Sequence, residues 1–193
     1  MRIAVILLAA LLAGCASPNP EFFTLAAEPG PVGHLALHGI EVRRVGLAGY
    51  LDRSEIVLSS AGFRLTLAQN QRWGEPLGSM LGRVFAEDLI ERLPDADVFT
   101  EAGAISTAPD LVLEVDVQRF DAEANGELVL LAQVAVRRGD ASAPAQARTL
   151  HLTVTPAGPT TRDHVAAMSR ELGELADQVV GLLEQAGRAP RRR

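Results

Sequence analysis

The chain has 193 residues, 48% of them hydrophobic, and a formal net charge of −6 at pH 7. This acidic balance argues against nucleic acid or a polyphosphate surface as a partner. The single cysteine, Cys15, excludes a disulfide within the chain, so stability has to come from the burial of apolar side chains.

The first 14 residues have the pattern of a secretory signal peptide. A positively charged Met1-Arg2 start precedes an apolar run, residues 3–12, which is too short to cross a bilayer as a helix. The cysteine that follows stands in a stretch that resembles the lipobox of bacterial lipoproteins, in which the signal is removed before the cysteine and the thiol accepts diacylglycerol. The lipobox residues are Leu12, Ala13, Gly14 and Cys15.

Lipidation of Cys15 predicts a protein that is anchored to a membrane and does not span it. The expected modification is diacylglycerol and an N-acyl chain, and each buried methylene contributes about 0.8 kcal/mol to membrane binding. Ala16 stands where an aspartate would resemble an inner-membrane retention signal, which favours the outer membrane. Residues 15–21 are then the lipidated N-terminus and a short extended tether on the periplasmic side.

Residues 22–187 are long enough for one domain with a substantial core. Apolar positions between residues 35 and 47 predict one or two strands, with Gly39 as a bulge where the parity changes. The alternation at Phe63, Leu65 and Leu67 predicts a half-buried strand.

A helix is predicted to begin at Glu75-Pro76, because proline suits the first helical turn, and to end before Pro94. A short strand at Val98-Phe99 follows it. The apolar face of the helix consists of Leu77, Leu81, Val84, Phe85 and Leu89.

The second half of the chain predicts an antiparallel meander of three strands. Residues 111–117 alternate between apolar and polar, residues 128–136 are apolar on nearly both faces, and residues 149–155 alternate again. Gly126 and residues 139–147 supply the turns.

Apolar residues three and four apart between positions 165 and 182 predict a long amphipathic helix that begins at Thr160 or Thr161. Its polar face is assigned to Arg170, Glu171, Glu174 and Asp177. A basic tail, residues 188–193, closes the chain. The order of elements predicts an α+β fold, a two-layer sandwich in which two long helices pack on one face of a mixed, mostly antiparallel sheet.

Two stretches each place an aromatic residue, an arginine and an acid in a turn: GYLDRSEIVL (residues 49–58) and RWGEPLGSML (residues 72–81). They resemble the YLDRPQIV and RWAEPL stretches of the ABC-type transport auxiliary lipoproteins, the family of the paraquat-inducible lipoprotein PqiC. Phe23-Thr24-Leu25 is similar to the family's early YTL strand, and the resemblance covers essentially the whole mature chain. Ser54-Glu55 and Gly74 depart from the family's usual residues.

The resemblance implies a part of a transporter of the mammalian cell entry (MCE) type, which moves lipids or hydrophobic solutes between the inner and outer membranes. In such systems an MCE-domain protein spans the periplasm and meets an outer-membrane lipoprotein. The implied role is that of docking partner, held by outer-membrane lipid through the acyl anchor, with a ring of several copies as one arrangement. The alternative is an outer-membrane assembly or scaffold lipoprotein that binds only protein.

The residues give no sign of an enzyme, and we predict no catalytic residue and no cofactor beyond the acyl chains. A nucleophile elbow, a phosphate-binding loop and a dinucleotide fingerprint are all lacking from the sequence. His34 and His38 lie four apart, but in a strand-like alternation without a nearby acidic or cysteine ligand, so no metal site is predicted.

The two motif stretches supply the candidate partner-binding residues. Asp52 and Glu75 could form a carboxylate pair if their loops meet, although ion pairs with Arg53 and Arg72 are the expected arrangement. The aromatic residues either fill the end of the sheet beneath a helix or act as interface hot spots, where Trp, Tyr and Arg are enriched. The candidates are Tyr50, Leu51, Asp52, Arg53, Arg72, Trp73, Glu75 and Pro76.

Overall fold

The structure is a computed structural model that describes residues 19–104, 107–140 and 144–188. The lipobox with Cys15 and residues 189–193 of the basic tail lie outside the described residues. Arg188, expected in that tail, is instead the last residue of a helix, where its guanidinium lies 3.0 Å from the carboxylate of Glu184.

The described residues form nine strands and two long helices. The strands are β1 (Glu21–Phe23), β2 (Gly39–Val42), β3 (Gly46–Leu47), β4 (Glu55–Ser59), β5 (Thr66–Trp73), β6 (Asp97–Thr100), β7 (Leu111–Ala122), β8 (Leu128–Arg138) and β9 (Gln146–Val154). The helices are α1 (Leu77–Arg92) and α2 (Thr161–Arg188), and a short 3-10 turn covers Ala61–Phe63. The predicted α+β class and both predicted helices are confirmed.

Strand β7 organises the sheet. Along one edge it pairs antiparallel with β8, which in turn pairs antiparallel with β9, so the predicted meander is confirmed. Its other edge is shared by three short parallel strands, β2, β3 and β4. Strand β2 also pairs with β6, and β4 pairs with β5, which pairs with β1 at the edge. Because β2, β3 and β4 each pair with a different part of β7, the loops that connect them are held at fixed positions along this strand.

Both helices begin where the sequence places a capping signal. Pro76 precedes α1, its fixed φ of −55° being compatible with a helix start. At the start of α2 the amide of Asp163 donates to Thr160 Oγ1 at 3.2 Å, and the amide of Thr160 donates to Asp163 Oδ2 at 3.1 Å. This reciprocal capping box satisfies amides that a helix end leaves unpaired, and the bond to Thr160 lowers the pKa of the Asp163 carboxyl.

The core lies between the sheet and the helices. Helix α2 contacts β7, β8 and β9, and α1 contacts α2 and β6. Alternate residues of β7 and β8 face this layer because successive strand side chains point to opposite faces. The buried positions on these two strands include Leu111, Leu113, Val115, Val117, Leu128, Leu130, Ala132, Val134 and Val136.

A buried arginine joins the two helices to the segment that follows β1. Arg92 is only 1% exposed, and its guanidinium donates to the backbone oxygens of Glu28 at 2.8 Å and Gly173 at 3.0 Å. It also donates to Asp177 at 2.5 Å, and the buried Asp88 lies 3.5 Å away. Asp177 thus acts between the helices, although its sequence position assigned it to the polar face of α2.

The predicted strand at Phe63 and Leu65 is wrong. Strand β5 begins at Thr66, Phe63 is fully exposed, and Leu65 is 39% exposed. Gly62 and Phe63 both have positive φ values, 63° and 62°, which turn the chain between β4 and β5 and break the alternation.

The apolar residues around Gly39 also differ from their prediction. Leu35 and Leu37 lie outside any strand, and Gly39 begins β2 and is not a bulge. A Cβ on Gly39 would lie 3.3 Å from the amide nitrogen of Asp110, so the glycine allows β2 to approach the start of β7.

Glu171 is buried, contrary to its assignment to the polar face of α2. Its Oε1 accepts a hydrogen bond of 3.1 Å from the amide of Leu130 in β8, and burial raises the pKa of its carboxyl to about 8. The carboxyl is therefore predominantly protonated at neutral pH, which reduces the cost of placing it beneath the sheet.

Candidate functional site

The two motif stretches meet in space. The β3–β4 loop (residues 48–54) and the β5–α1 loop (residues 74–76) are joined where the amide of Trp73 donates to the oxygen of Ser54 at 2.8 Å. They frame an open cleft of about 370 Å³, which we call the Trp73 cleft. It is lined by Asp52, Arg53, Ser54, Trp73, Glu75 and Pro76.

Two buried side chains support this cleft. Trp73 is only 4% exposed and Leu51 is 1% exposed, and both belong to the main hydrophobic core. For Trp73 this confirms the structural interpretation, an aromatic side chain filling the end of a strand beneath a helix start. The exposed Asp52 and Pro76 and the partly exposed Arg53 and Glu75 therefore stand on a packed base, as a binding surface requires.

Arg53 is the polar group of the cleft with an unused donor. Its Nε is buried and has no hydrogen-bond partner among the described residues. The predicted ion pair between Asp52 and Arg53 is wrong: neither side chain belongs to any of the ion pairs between described residues. A buried N–H without a partner is costly, so a shift of the Arg53 side chain that brings this donor to a carboxylate or carbonyl in the cleft would gain a hydrogen bond that the free protein lacks.

The predicted ion pair between Arg72 and Glu75 is wrong. Arg72 Nη1 lies 2.7 Å from Glu55 across the β4–β5 pair and lowers the pKa of the Glu55 carboxyl. Glu75 lies 2.6 Å from Arg83, in the second turn of α1, and its hydrogen bond raises the pKa of that guanidinium. Trp73 fills the core, and strand alternation turns the preceding residue, Arg72, to the other face, where it fastens β4 to β5 outside the cleft lining.

Tyr50 also lies outside the cleft lining. Its hydroxyl donates a 2.6 Å hydrogen bond to Oδ2 of Asp121, a completely buried carboxylate in β7 that also accepts bonds from Ser60 and Arg119. Burial, together with the Asp121 bond and charge, raises the pKa of the phenol, so Tyr50 stays a donor. The residue holds the first motif loop against the sheet.

A second cleft, of about 290 Å³, shares Asp52 and Pro76 with the Trp73 cleft. It also includes Arg44, between β2 and β3, and Gly78 and Ser79 in the first turns of α1. The two clefts adjoin at Asp52 and Pro76, and together we call them the groove. The sequence analysis missed Arg44, and the only signal for it was the Arg43-Arg44 pair in a turn.

His34 and His38 both lie near Asp95. Nδ1 of His38 lies 2.9 Å from the backbone oxygen of Asp95, and Nδ1 of His34 lies 3.8 Å from the carboxylate of Asp95. Within the described ranges, three or more His, Cys, Asp or Glu side chains nowhere gather as a metal would need. In the same ranges, the helices are too short or too polar to cross a membrane.

The sequence matches the model of a known family over residues 23–180, from β1 into α2. The family is described as the ABC-type transport auxiliary lipoprotein component. The chain belongs to this family. The match includes both motif loops and the whole groove. The ABC-type transport auxiliary lipoproteins are not a family of enzymes, and their shared character is that of a lipoprotein that assists a transporter.

Solved structures share the fold of this auxiliary lipoprotein. An uncharacterized protein matches with a TM-score of 0.70 and 15% identity, covering 86% of this chain and 99% of its own. Protein XCC0632 from Xanthomonas campestris matches with a TM-score of 0.66 and 16% identity, covering 86% and 96%. At these identities the likeness concerns the fold alone. No curated protein is similar enough in sequence to count as a relative.

Proposed function

We propose that this auxiliary lipoprotein is the outer-membrane docking partner of an MCE-type transport system that moves lipids or hydrophobic solutes between the two membranes. Family membership supports a transport role, and the observation that carries the docking role is the Trp73 cleft. There Arg53, whose buried Nε has no hydrogen-bond partner among the described residues, lines an open cleft on a packed base. The protein acts by binding and needs no cofactor beyond the acyl chains on Cys15.

The physical task explains why a transporter needs such a component. A lipid exposes too much apolar surface to cross the aqueous periplasm unaided, so a shielded path has to end against the receiving membrane. An anchored domain holds the end of that path in place. A segment of the MCE-domain protein that places a carboxylate or a backbone carbonyl on Arg53 would dock in the groove, and several copies in a ring would surround the path.

The test is a pull-down from crosslinked cells that express the full-length chain with a C-terminal tag. We expect mass spectrometry to recover an MCE-domain protein with the wild-type chain. Arg53→Ala should reduce that recovery about tenfold or more, because truncation of an interface hot spot costs about 2 kcal/mol. The matched control is Arg148→Ala, an exposed arginine on β9, which should leave recovery unchanged.

Two results would contradict the proposal. Recovery of only barrel-assembly or cell-wall proteins would replace the transport role with the scaffold role. Equal recovery of the MCE-domain protein by the Arg53→Ala and wild-type chains would keep the transport role and remove the Trp73 cleft from it.

A further inference from the structure

The turn between β4 and β5 exposes apolar side chains. This hairpin tip, residues 61–65, contains the fully exposed Phe63 and the 39% exposed Leu65. Phe22, in the neighbouring strand β1, is 63% exposed. Of the five large apolar side chains that the described residues expose, two are therefore at the tip, whereas Phe22 lies opposite Arg72 at the other end of β5.

The tip projects from a firmly attached base. Ser59 Oγ donates to the oxygen of Ala122 at 2.8 Å, and Ser60 Oγ donates to Asp121 at 3.0 Å. Beyond this base Gly62 and Phe63 adopt positive φ values, a conformation that is rare for a bulky residue and carries a conformational cost. The fold therefore presents Phe63 to its surroundings, although burial would be favourable for this side chain.

The charge around the tip differs from that of the whole protein. Residues 56–74 contain no aspartate or glutamate, although the chain has a net charge of −6. Arg64 directly follows Phe63. In the adjacent β7–β8 turn Glu123 is paired with Arg119, and Glu127 is the other acid. An aromatic side chain beside an arginine suits the interface of a bilayer that contains anionic phospholipid.

The chain enters the fold from the side of the hairpin tip. Strand β1 runs parallel to β5, with Glu21 opposite Gln71, and the side-chain amide of Asn70 donates to the oxygen of Asn19 at 2.9 Å. Since β5 runs away from the tip, β1 does so too. Cys15 precedes Asn19 by four residues, which span at most about 14 Å. Asn70 lies between Thr66 at the tip and Trp73 at the cleft, so this length of chain lets the acylated cysteine reach the tip.

We propose that the hairpin tip inserts Phe63 and Leu65 into the interface of the same phospholipid bilayer that holds the acyl chains of Cys15. This inference rests on the lipid anchor of the proposed function. Strand β5 leads from the tip at Thr66 to the cleft at Trp73 and bulges between Leu67 and Arg72. Its partner β4 covers the same stretch in the four steps from Ser59 to Glu55, about 13 Å. Contact at the tip therefore orients the Trp73 cleft away from the membrane, toward the periplasm.

The test uses tryptophan emission from the full-length, processed chain in vesicles of phosphatidylcholine and phosphatidylglycerol whose acyl chains are brominated or plain. The natural Trp73 is buried, so the wild-type chain should emit equally in both vesicles. Phe63→Trp should add a component that is shifted to shorter wavelength and lost in the brominated vesicles. The matched control is Ile90→Trp, an exposed apolar position on α1, whose added emission should survive bromination.

The outcomes separate this inference from the anchor. Phe63→Trp protein that sediments with the vesicles and keeps its full emission would overturn the inference and leave the anchor intact, with a protein partner to cover Phe63. Protein that carries no acyl chains by mass spectrometry and does not sediment with vesicles would overturn both.

Discussion

The hydroxyl of Tyr50 lies 2.6 Å from Oδ2 of Asp121, and the carboxylate of Asp121 is completely buried. This bond joins the first motif loop to the central strand β7. Tyr50→Phe removes the hydroxyl and keeps the ring, so the buried carboxylate loses a partner. We expect the free energy of unfolding to fall by about 1–3 kcal/mol, measured by urea denaturation.

Arg119→Lys serves as the comparison for Tyr50, because it retains a positive charge near Asp121 while reducing the number of donors. Arg119→Lys should cost less than a double variant, Tyr50→Phe with Ser60→Ala, which removes both neutral donors to this carboxylate. An unchanged denaturation midpoint for Tyr50→Phe would mean that water replaces the hydroxyl, and Tyr50 would then return to the partner-binding candidates alone.

Arg92 provides a second test of buried polar structure. Arg92→Met leaves the backbone oxygens of Glu28 and Gly173 without their donor and Asp88 without its cation. Breaking such a buried pair costs about 3–5 kcal/mol, so we expect a large fall in the denaturation midpoint. Arg83→Ala, on the same helix, breaks only exposed pairs with Glu75 and Glu87 and should cost less than about 1 kcal/mol. Similar losses for the two variants would contradict this assignment.

Glu171 predicts how stability depends on pH. Burial raises the pKa of its carboxyl to about 8 in the folded protein, from 4.5 in the unfolded chain. The folded state therefore binds the extra proton, and stability falls as the pH rises through this interval, by at most about 1.4 kcal/mol per pH unit. Asp88, whose pKa burial raises to about 6, acts in the same direction at lower pH.

The informative range for Glu171 is pH 6.5 to 8. Burial lowers the pKa of His164, so that its contribution is an increase in stability with pH that is complete above its ordinary value of 6.5. Glu171→Gln keeps an oxygen for the amide of Leu130 and cannot ionise. Its denaturation midpoint should stay level across this range while the wild-type midpoint falls, and parallel curves would refute the protonated state.

The elements that the sequence predicted best are those whose pattern is decided by one packed face. Strands β7 and β8 and helix α2 each bury a long apolar stripe, so their periodicity survives in the fold. The strand predicted around Phe63 was wrong because two consecutive residues there have positive φ values, which form a turn. An alternation of apolar residues carries no information about φ. The assignment of Glu171 to the polar face was wrong because its partner, the backbone amide of Leu130, is distant in the chain.

The candidate site was predicted in part. Motif resemblance located both loops, and the structure brings Asp52, Arg53, Trp73, Glu75 and Pro76 together. The predicted ion pairs of Asp52 with Arg53 and of Arg72 with Glu75 were wrong. Residues that are close in sequence need not pair when a strand ends and a helix begins between them. Arg72 points across β4–β5, and Glu75 reaches along α1. The partner-binding role of these residues stays a prediction.

Two glycines with opposite surroundings give the last prediction. A Cβ on Gly139 would lie 1.9 Å from the backbone oxygen of Pro109, and the Gly139 amide donates to Asp110 at 2.9 Å. Gly139→Ala therefore has to displace backbone, and we expect a loss of more than about 2 kcal/mol. Gly181, within α2, has no atom within 4 Å of its Cβ position, so Gly181→Ala should stabilise the helix by about 0.5–1 kcal/mol. Urea denaturation of the two variants should shift the midpoint in opposite directions. A Gly139→Ala midpoint that does not fall would contradict the close approach of the β8–β9 turn to Pro109.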